Sequence, residues 1–402
     1  MRRNVHVQVT GPLLPYARGF GKELEDQGYT PLSAAEKLRL LAHLSRWIQL
    51  RDLELRQLTP RQLERFRGSR QRDGYVTQYS ERALTPLVDY LRRLGVVPIP
   101  DSPIPSTPIE RLLERFGKYL LDERGLAPRT IRFRIQVAQR FLSRIQDPDR
   151  LGLRGLSAAD VMDFVRRECR RHSLGYSRLV VGALRSLLLF LYLDGLTETP
   201  LAAAALPIAG WRLGSLPKAL EPQHVERLLR SCDRRTAIGR RDYAILMLLV
   251  RLGLRAGEVS SLQLGDIDWS GGEVVIRGKG RRLDRLPLPV DVGEALVAYL
   301  RRGRPSTTDR RLFIRSRAPR VGISRSCITA VVYHACDQSG AHRVGSHRLR
   351  HTAATLMLQR GESLSAIAQV LRHRRLATTA IYAKVDRRSL RLLAQPWPGD
   401  RP

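Results

Sequence analysis

Lysine is scarce in this chain, occupying only positions 22, 37, 118, 218, 279 and 384 among 70 basic residues in a total of 402. Acidic residues are also few, 38 against those 70, which leaves a formal charge of +32 at pH 7. The four cysteines, Cys169, Cys232, Cys327 and Cys336, are too few and too scattered for a disulfide framework or a CxxC metal site. Four tryptophans, at 47, 211, 269 and 397, show no spacing that would make a base-stacking platform and read as core or linker contacts. No run approaches the roughly 18 apolar residues of a membrane span. The opening Met1–His6 has no apolar segment, so a secretion signal is not expected. What is present is a globular balance, with 43% hydrophobic and 27% charged residues, enough for two or three domains with buried cores.

The positive charge is spread along the chain: +7 over residues 1–100, +5 over 101–200 and +20 over 201–402. Self-repulsion of this size calls for a polyanionic partner, and nucleic acid is the natural one. An arginine bias can arise from GC-rich coding sequence, so the net charge carries this point and the bias does not.

The first two hundred residues show apolar positions three and four apart and read as helices. They also repeat. Phe20-Gly21-Lys22 with Gly28-Tyr29-Thr30-Pro31 matches Phe116-Gly117-Lys118 with Gly125-Leu126-Ala127-Pro128. Leu58 to Phe66 matches Leu156 to Phe164, each run opening a helix on a Thr or Ser cap. Tyr79, Leu84, Leu91 and Gly95 match Tyr176, Leu184, Leu191 and Gly195. Offsets of 96 to 100 residues indicate two copies of one small helical domain. The Pro-rich stretch Val96–Pro108 reads as an extended connector, and a second break runs from Pro200 to Pro217. Further on, Glu273–Arg277 and Leu283–Leu288 flank Gly278-Lys279-Gly280 and predict a hairpin, with helix resuming after it to about Leu393. The expected fold is mainly α: two tandem helical domains and an α+β domain with a small β-sheet. The expected boundaries are a helical domain at 1–98, a linker at 99–109, a second helical domain at 110–200, a linker at 201–216, the α+β domain at 217–395 and a tail at 396–402.

Three separated clusters then form one ordered pattern. They are Gly253-Leu254-Arg255-Ala256-Gly257-Glu258; His347-Arg348-Leu349-Arg350-His351; and Leu371-Arg372-His373 followed by Thr378-Thr379-Ala380-Ile381-Tyr382. This pattern resembles the tyrosine recombinase (phage integrase) family of DNA strand-exchange enzymes, over roughly residues 215–395 and more loosely over 106–200. The one departure is Arg372, where the family has Gly, which crowds or recharges the turn before His373.

The resemblance implies Tyr382 as nucleophile, Arg255 and Arg350 as stabilisers of the phosphate and its transition state, and His347 and His373 in phosphate contact and proton transfer. Elementary chemistry agrees. A phosphodiester gains negative charge in its pentacovalent transition state, and guanidiniums offset that charge with bidentate, charge-assisted hydrogen bonds. A phosphotyrosyl bond conserves the energy of the broken strand, so no ATP or other cofactor is expected. Lys279 is expected to be the general acid: the leaving 5′-oxygen needs a proton, arginine gives one up poorly, and this is the only lysine between 219 and 383. Glu258 is expected to orient the arginines, and His351 to pack or hydrogen-bond within the domain. The four-residue spacing of His347 and His351 fits zinc, but the nearby arginines and the lack of a zincin glutamate speak against any metal. Asp266 and Asp268 read as a strand-entry turn rather than a metal pair. Arg129, Arg132, Arg166 and Arg170 are candidates for phosphate contacts without base readout.

The expected partner is double-stranded DNA carrying specific recombination sites. A homotetramer acting through a Holliday junction is implied, possible companions being other recombinases, with no membrane and a cytoplasmic, nucleoid-associated location. A mobile element is the expected setting. Two alternatives stay open at this point: type IB topoisomerase-like relaxation, and a catalytically silent DNA-binding accessory subunit.

Overall fold

The computed structural model describes residues 7–99, 107–145, 153–208, 219–278, 283–373 and 378–385. The chain divides into two compact units, one formed by residues 1–99 together with 215–402 and the other by residues 100–214.

The first unit opens with α1 (Leu14–Asp26), α2 (Pro31–Gln49), α3 (Pro60–Arg72) and α4 (Glu81–Arg93). Thr30, Thr59 and Ser80 cap the last three by accepting the N–H of the residue three positions on. Pro31 and Pro60 stand in the first turn, where the missing N–H has no helical acceptor to lose. Phe20, Leu44, Trp47, Phe66 and Leu91 lie in the core of this portion, and Trp47 meets Phe66 edge-on. The expectation of a core contact for Trp47 is met.

The second unit contains α5 (Pro108–Asp122), α6 (Pro128–Ile145), α7 (Ala158–Arg171) and α8 (Leu174–Leu193), closed around Phe116, Phe141, Phe164, Leu184 and Phe190. Both four-helix sets place a short 3-10 turn before the third helix, at Leu55–Gln57 and at Leu153–Gly155. Two readings need correction. α5 starts at Pro108, inside the stretch taken as a non-helical connector, because Thr107 and Glu110 form a capping box and proline is tolerated at the first helical position. And α8, 20 residues with mean hydropathy 1.5, is long and apolar enough to cross a membrane, contrary to the expectation that no such run exists. One face of it is packed, since Val180, Val181, Leu184, Leu187, Leu188 and Leu191 lie in the core of this unit, while Leu174, Leu179, Leu189, Tyr192 and Leu193 are exposed. Most of the proline-rich connector and the segment 209–218 lie outside the described residues.

The remainder of the first unit carries α9 (Pro222–Arg230), α10 (Ala237–Arg251), α11 (Ala256–Ser261), α12 (Val290–Arg302), α13 (Arg325–Gln338), α14 (Ser346–Gln359), α15 (Leu364–Val370) and a 3-10 turn at Ala380–Val385. Helix α10 is buried almost throughout Ala244–Val250 and packs against α12 and α14. The strands β1 (Ile267–Asp268), β2 (Glu273–Arg277) and β3 (Leu283–Pro287) form an antiparallel sheet in the order β1-β2-β3, with Val275 opposite Arg285. Alternation drives Val274, Ile276 and Leu286 into the core. The helical stretch expected after the hairpin is broken between α12 and α13, where the chain runs extended and bridges Gln263 to Arg311 and Ile314 to Gly322. Asp266 pairs with Arg277 and accepts the N–H of Gln263, while Asp268 accepts from Ser270 and Gly271. Both carboxylates thus serve the turn that leads into β2. The amino-terminal helices touch this portion at Arg320, whose N–H donates to the Gln27 carbonyl at 2.8 Å.

Candidate active site

An open cleft of about 1540 Å³ is lined by the start of α11, the end of β2, the start of β3, the first turns of α14, and the end of α15 with the turn after it. Each element delivers a charged or titratable side chain for a local reason. Arg255 sits at the amino-terminal cap of α11, and Glu258, three residues on, folds back to accept its backbone N–H at 2.8 Å. The other carboxylate oxygen of Glu258 accepts from Arg255 Nη1 at 2.6 Å, leaving the Arg255 side chain 47% exposed at the cleft. Gly253 makes this approach possible. Its φ of +59° is left-handed, and a Cβ there would come within 2.6 Å of Leu371 Cδ2.

On α14 the spacing of three and four residues brings His347, Arg350 and His351 to neighbouring positions on the helix. Arg350 is 2% exposed, donating Nη1 to the Gly253 carbonyl at 2.6 Å and Nη2 to the Leu371 carbonyl. These bonds engage two of its five N–H donors and fix the plane of the guanidinium. Burial, then the neighbouring Arg255, lowers its pKa to about 10, so it stays a cation at neutral pH. The pKa of His347 is lowered by burial and by Arg350, Arg255 and Arg325. His373 follows the same logic further: burial first, then Arg350 and Arg255, bring it down to about 4. Its Nδ1 lies 2.7 Å from the hydroxyl of Thr379, which is buried. At neutral pH the cleft therefore pairs fixed guanidinium charge with a neutral His373 imidazole.

Tyr382 does not line this cleft. It is 1% exposed and packed with Ala354, Leu358, Ile367 and Leu371. Its hydroxyl lies 2.8 Å from His351 Nδ1, and burial pushes its pKa up to about 12. His351 thus shares a hydrogen bond with the residue read as nucleophile. Glu258 accepts from the guanidiniums of Arg255 and Arg372, while Arg350 is held by backbone carbonyls. Burial alone raises the Glu258 pKa, yet Arg372 and Arg255 outweigh it and hold the carboxylate ionised.

The structure thus gathers Arg255, Glu258, His347, Arg350 and His373 around one cleft, with His351 and Tyr382 adjoining. Lys279 lies outside the described residues, between the ends of β2 and β3. Arg129, Arg132, Arg166 and Arg170 belong to the other unit and are exposed on α6 and α7, with Arg166 paired to Asp163 at 2.8 Å. Two contributors escaped sequence reasoning in these roles. Thr379 carried only the signal of a hydroxyl six residues after His373, and the partner of Arg372 is 114 positions away.

Residues 218–388 match the model of the Phage integrase family. A Sinorhizobium fredii protein described as an integrase/recombinase, y4rA, is 38% identical over 398 residues, covering 97% of this chain and 96% of that protein. The tyrosine recombinase XerC of Shewanella amazonensis is 33% identical over 301 residues, covering 95% of XerC but only 72% of this chain. Among solved structures, a lambda integrase tetramer bound to a Holliday junction aligns over 80% of this chain and 90% of its own, with TM-score 0.55 at 16% identity. The XerH recombinase bound to its difH substrate aligns over 83% of this chain and 94% of its own, with TM-score 0.53 at 20% identity. At these identities the two structures speak for the fold.

Proposed function

Because this chain belongs to the phage integrase family, the tyrosine recombinases, we propose that its cleft between α11 and α14 is where a DNA phosphodiester is broken and rejoined. The observation that carries this reading is the convergence of Arg255, Arg350, His347 and His373 on one cavity, with the Tyr382 hydroxyl 2.8 Å from His351 of the helix that bears His347 and Arg350. Relaxation by a topoisomerase and a silent accessory role are not favoured, since the relatives named above are recombinases or integrases.

In this reading Tyr382 Oη bonds to phosphorus, the bond from phosphorus to the 5′-oxygen breaks, and Lys279 gives that oxygen its proton. Arg255 and Arg350 hold the non-bridging oxygens as charge builds on them, an effect worth about 3–4 kcal/mol of barrier for each such donor. The phenol's own proton leaves through the bond it shares with His351 or to solvent. Reversal by a 5′-hydroxyl from the partner duplex reseals the strand with no external energy. A phenol with its pKa near 12 and 1% exposure is a poor nucleophile where it lies, so engagement of DNA has to bring it into the cleft. The functional assembly is a homotetramer on two recombination sites, working in the cytoplasm on nucleoid DNA, alone or with other recombinases, for a mobile element. Arg129, Arg132, Arg166 and Arg170 are assigned to the DNA backbone, which suits their exposure. Residues 1–98 are read as a second copy of the helical module at 110–200, a reading supported by the shared order of helices and turns. They lengthen the DNA footprint or contact a neighbouring protomer.

The test is covalent capture on nicked suicide duplexes drawn from a randomised pool. Wild-type protein is expected to form an adduct that survives denaturing electrophoresis, and Tyr382→Phe none. An adduct of undiminished yield with Tyr382→Phe would remove the assignment.

A further inference from the structure

The residue before His373 is Arg372, and its φ of +53° lies in the left-handed region where a side chain is a burden and glycine is at ease. A strained backbone persists only where its surroundings over-determine it. Here the surroundings are ionic. Arg372 Nη2 donates to Glu258 Oε2 at 2.6 Å, and Nη1 donates to the Val370 carbonyl at 3.0 Å. Nε stands 3.9 Å from an oxygen of Asp284 on β3. The side chains of Arg372 and Glu258 are each 7% exposed. Glu258 in turn grips both the backbone and the guanidinium of Arg255. One carboxylate therefore joins the α11 start that bears Arg255 to the turn that bears His373, and Arg372 supplies the second half of the joint.

We propose that Arg372 is a positioning residue: it locks the His373 turn and Arg255 onto Glu258, so that both side chains meet the phosphate in fixed register. This rests on the reading of the cleft as the site of DNA cleavage. Direct phosphate contact is a poorer assignment for Arg372, because its donors face Glu258 and Val370 and its Nε is buried. The charge balance points the same way. Glu258 alone would neutralise Arg255 and dull its attraction for phosphate. A second guanidinium shared on the same carboxylate restores a net positive charge beside the reacting group. Glycine at this position would relax the backbone but leave His373 without that anchor.

The experiment measures adduct formation in a single turnover, on a suicide duplex recovered by covalent capture, for wild type, Arg372→Gly, Arg372→Lys, Glu258→Gln and the double variant Arg372→Gly/Glu258→Gln. Arg372→Gly is expected to cleave about 10- to 100-fold more slowly at saturating DNA, with half-saturation changed by less than about threefold. Arg372→Lys, which keeps one donor for Glu258, should recover part of that loss. In the Glu258→Gln background, adding Arg372→Gly should cost less than about threefold more, because the path through Glu258 is already cut. Wild-type speed in Arg372→Gly overturns the proposal. So does an equal fold-loss in both backgrounds, or a loss confined to DNA affinity. Tyr382→Phe run alongside reports separately on whether the cleft cleaves DNA at all. Thermal melting of Arg372→Met, Glu258→Gln and their double variant reads the joint without DNA: melting shifts smaller together than in sum support it, and additive shifts overturn it.

Discussion

Mild acid should loosen the cleft around His373 before the carboxylates of the protein titrate. The folded pKa of His373 lies near 4, below the 6.5 of the free side chain. The unfolded chain therefore binds more protons between these values, and stability is lost as pH falls from about 6.5 towards 4. At pH 5 the full shift corresponds to about 2 kcal/mol, and His373 is partly exposed, so solvent screening reduces this to about 1 kcal/mol. His347 and His351 are lowered by burial and by neighbouring cations and add in the same direction. The depressed carboxylates, Asp160, Asp268 and Glu258 among them, act in a lower window, since their contribution is complete above the free carboxylate range of about 4. The assay is the melting temperature from pH 7.5 to 5 for wild type and His373→Gln. For a unit of this size about 1 kcal/mol is about 2–4 °C, and the variant should lose that much less than wild type. Parallel curves for the two proteins would refute the reasoning. A bound phosphodiester reverses the sign of the local field, so DNA binding should take up protons and tighten as pH falls from 7 to 6.

Alkaline conditions probe the other side of the site. The pKa of Tyr382 is raised to about 12 by burial, so its stabilising contribution is intact below pH 10 and lost as pH rises from 10 to 12. Unfolding free energies from denaturant titration should fall more steeply over that interval in wild type than in Tyr382→Phe, by about 2–3 kcal/mol at most. Gly253→Ala places a Cβ 2.6 Å from Leu371 at a φ of +59°, and the carbonyl of this residue holds Arg350. It should lose about 1–3 kcal/mol of stability by chemical denaturation, and cleave more slowly than that loss alone explains.

Much of this protein is legible from nearest neighbours along the chain. Caps such as Thr59 and Ser157, the proline in the first turn of α3, the alternation in β2 and the spacing of His347, Arg350 and His351 on α14 all depend on atoms within a few residues of one another. The order of the three motif clusters identified the chemistry for the same reason, since each cluster is a local constellation at the end of a helix or turn. The apolar run of α8 marks the limit of such reading: composition alone does not separate a core helix from a membrane helix, and which of its side chains enter the core of the second unit is set by packing. Tertiary structure alone decided that Glu258 serves Arg372 from 114 positions away, that His351 holds the hydroxyl of Tyr382, and that this tyrosine is buried. The physical reason is range. Helices and caps form from neighbouring residues, whereas a buried ion pair or a sequestered phenol exists only where packing removes water from groups the chain keeps far apart.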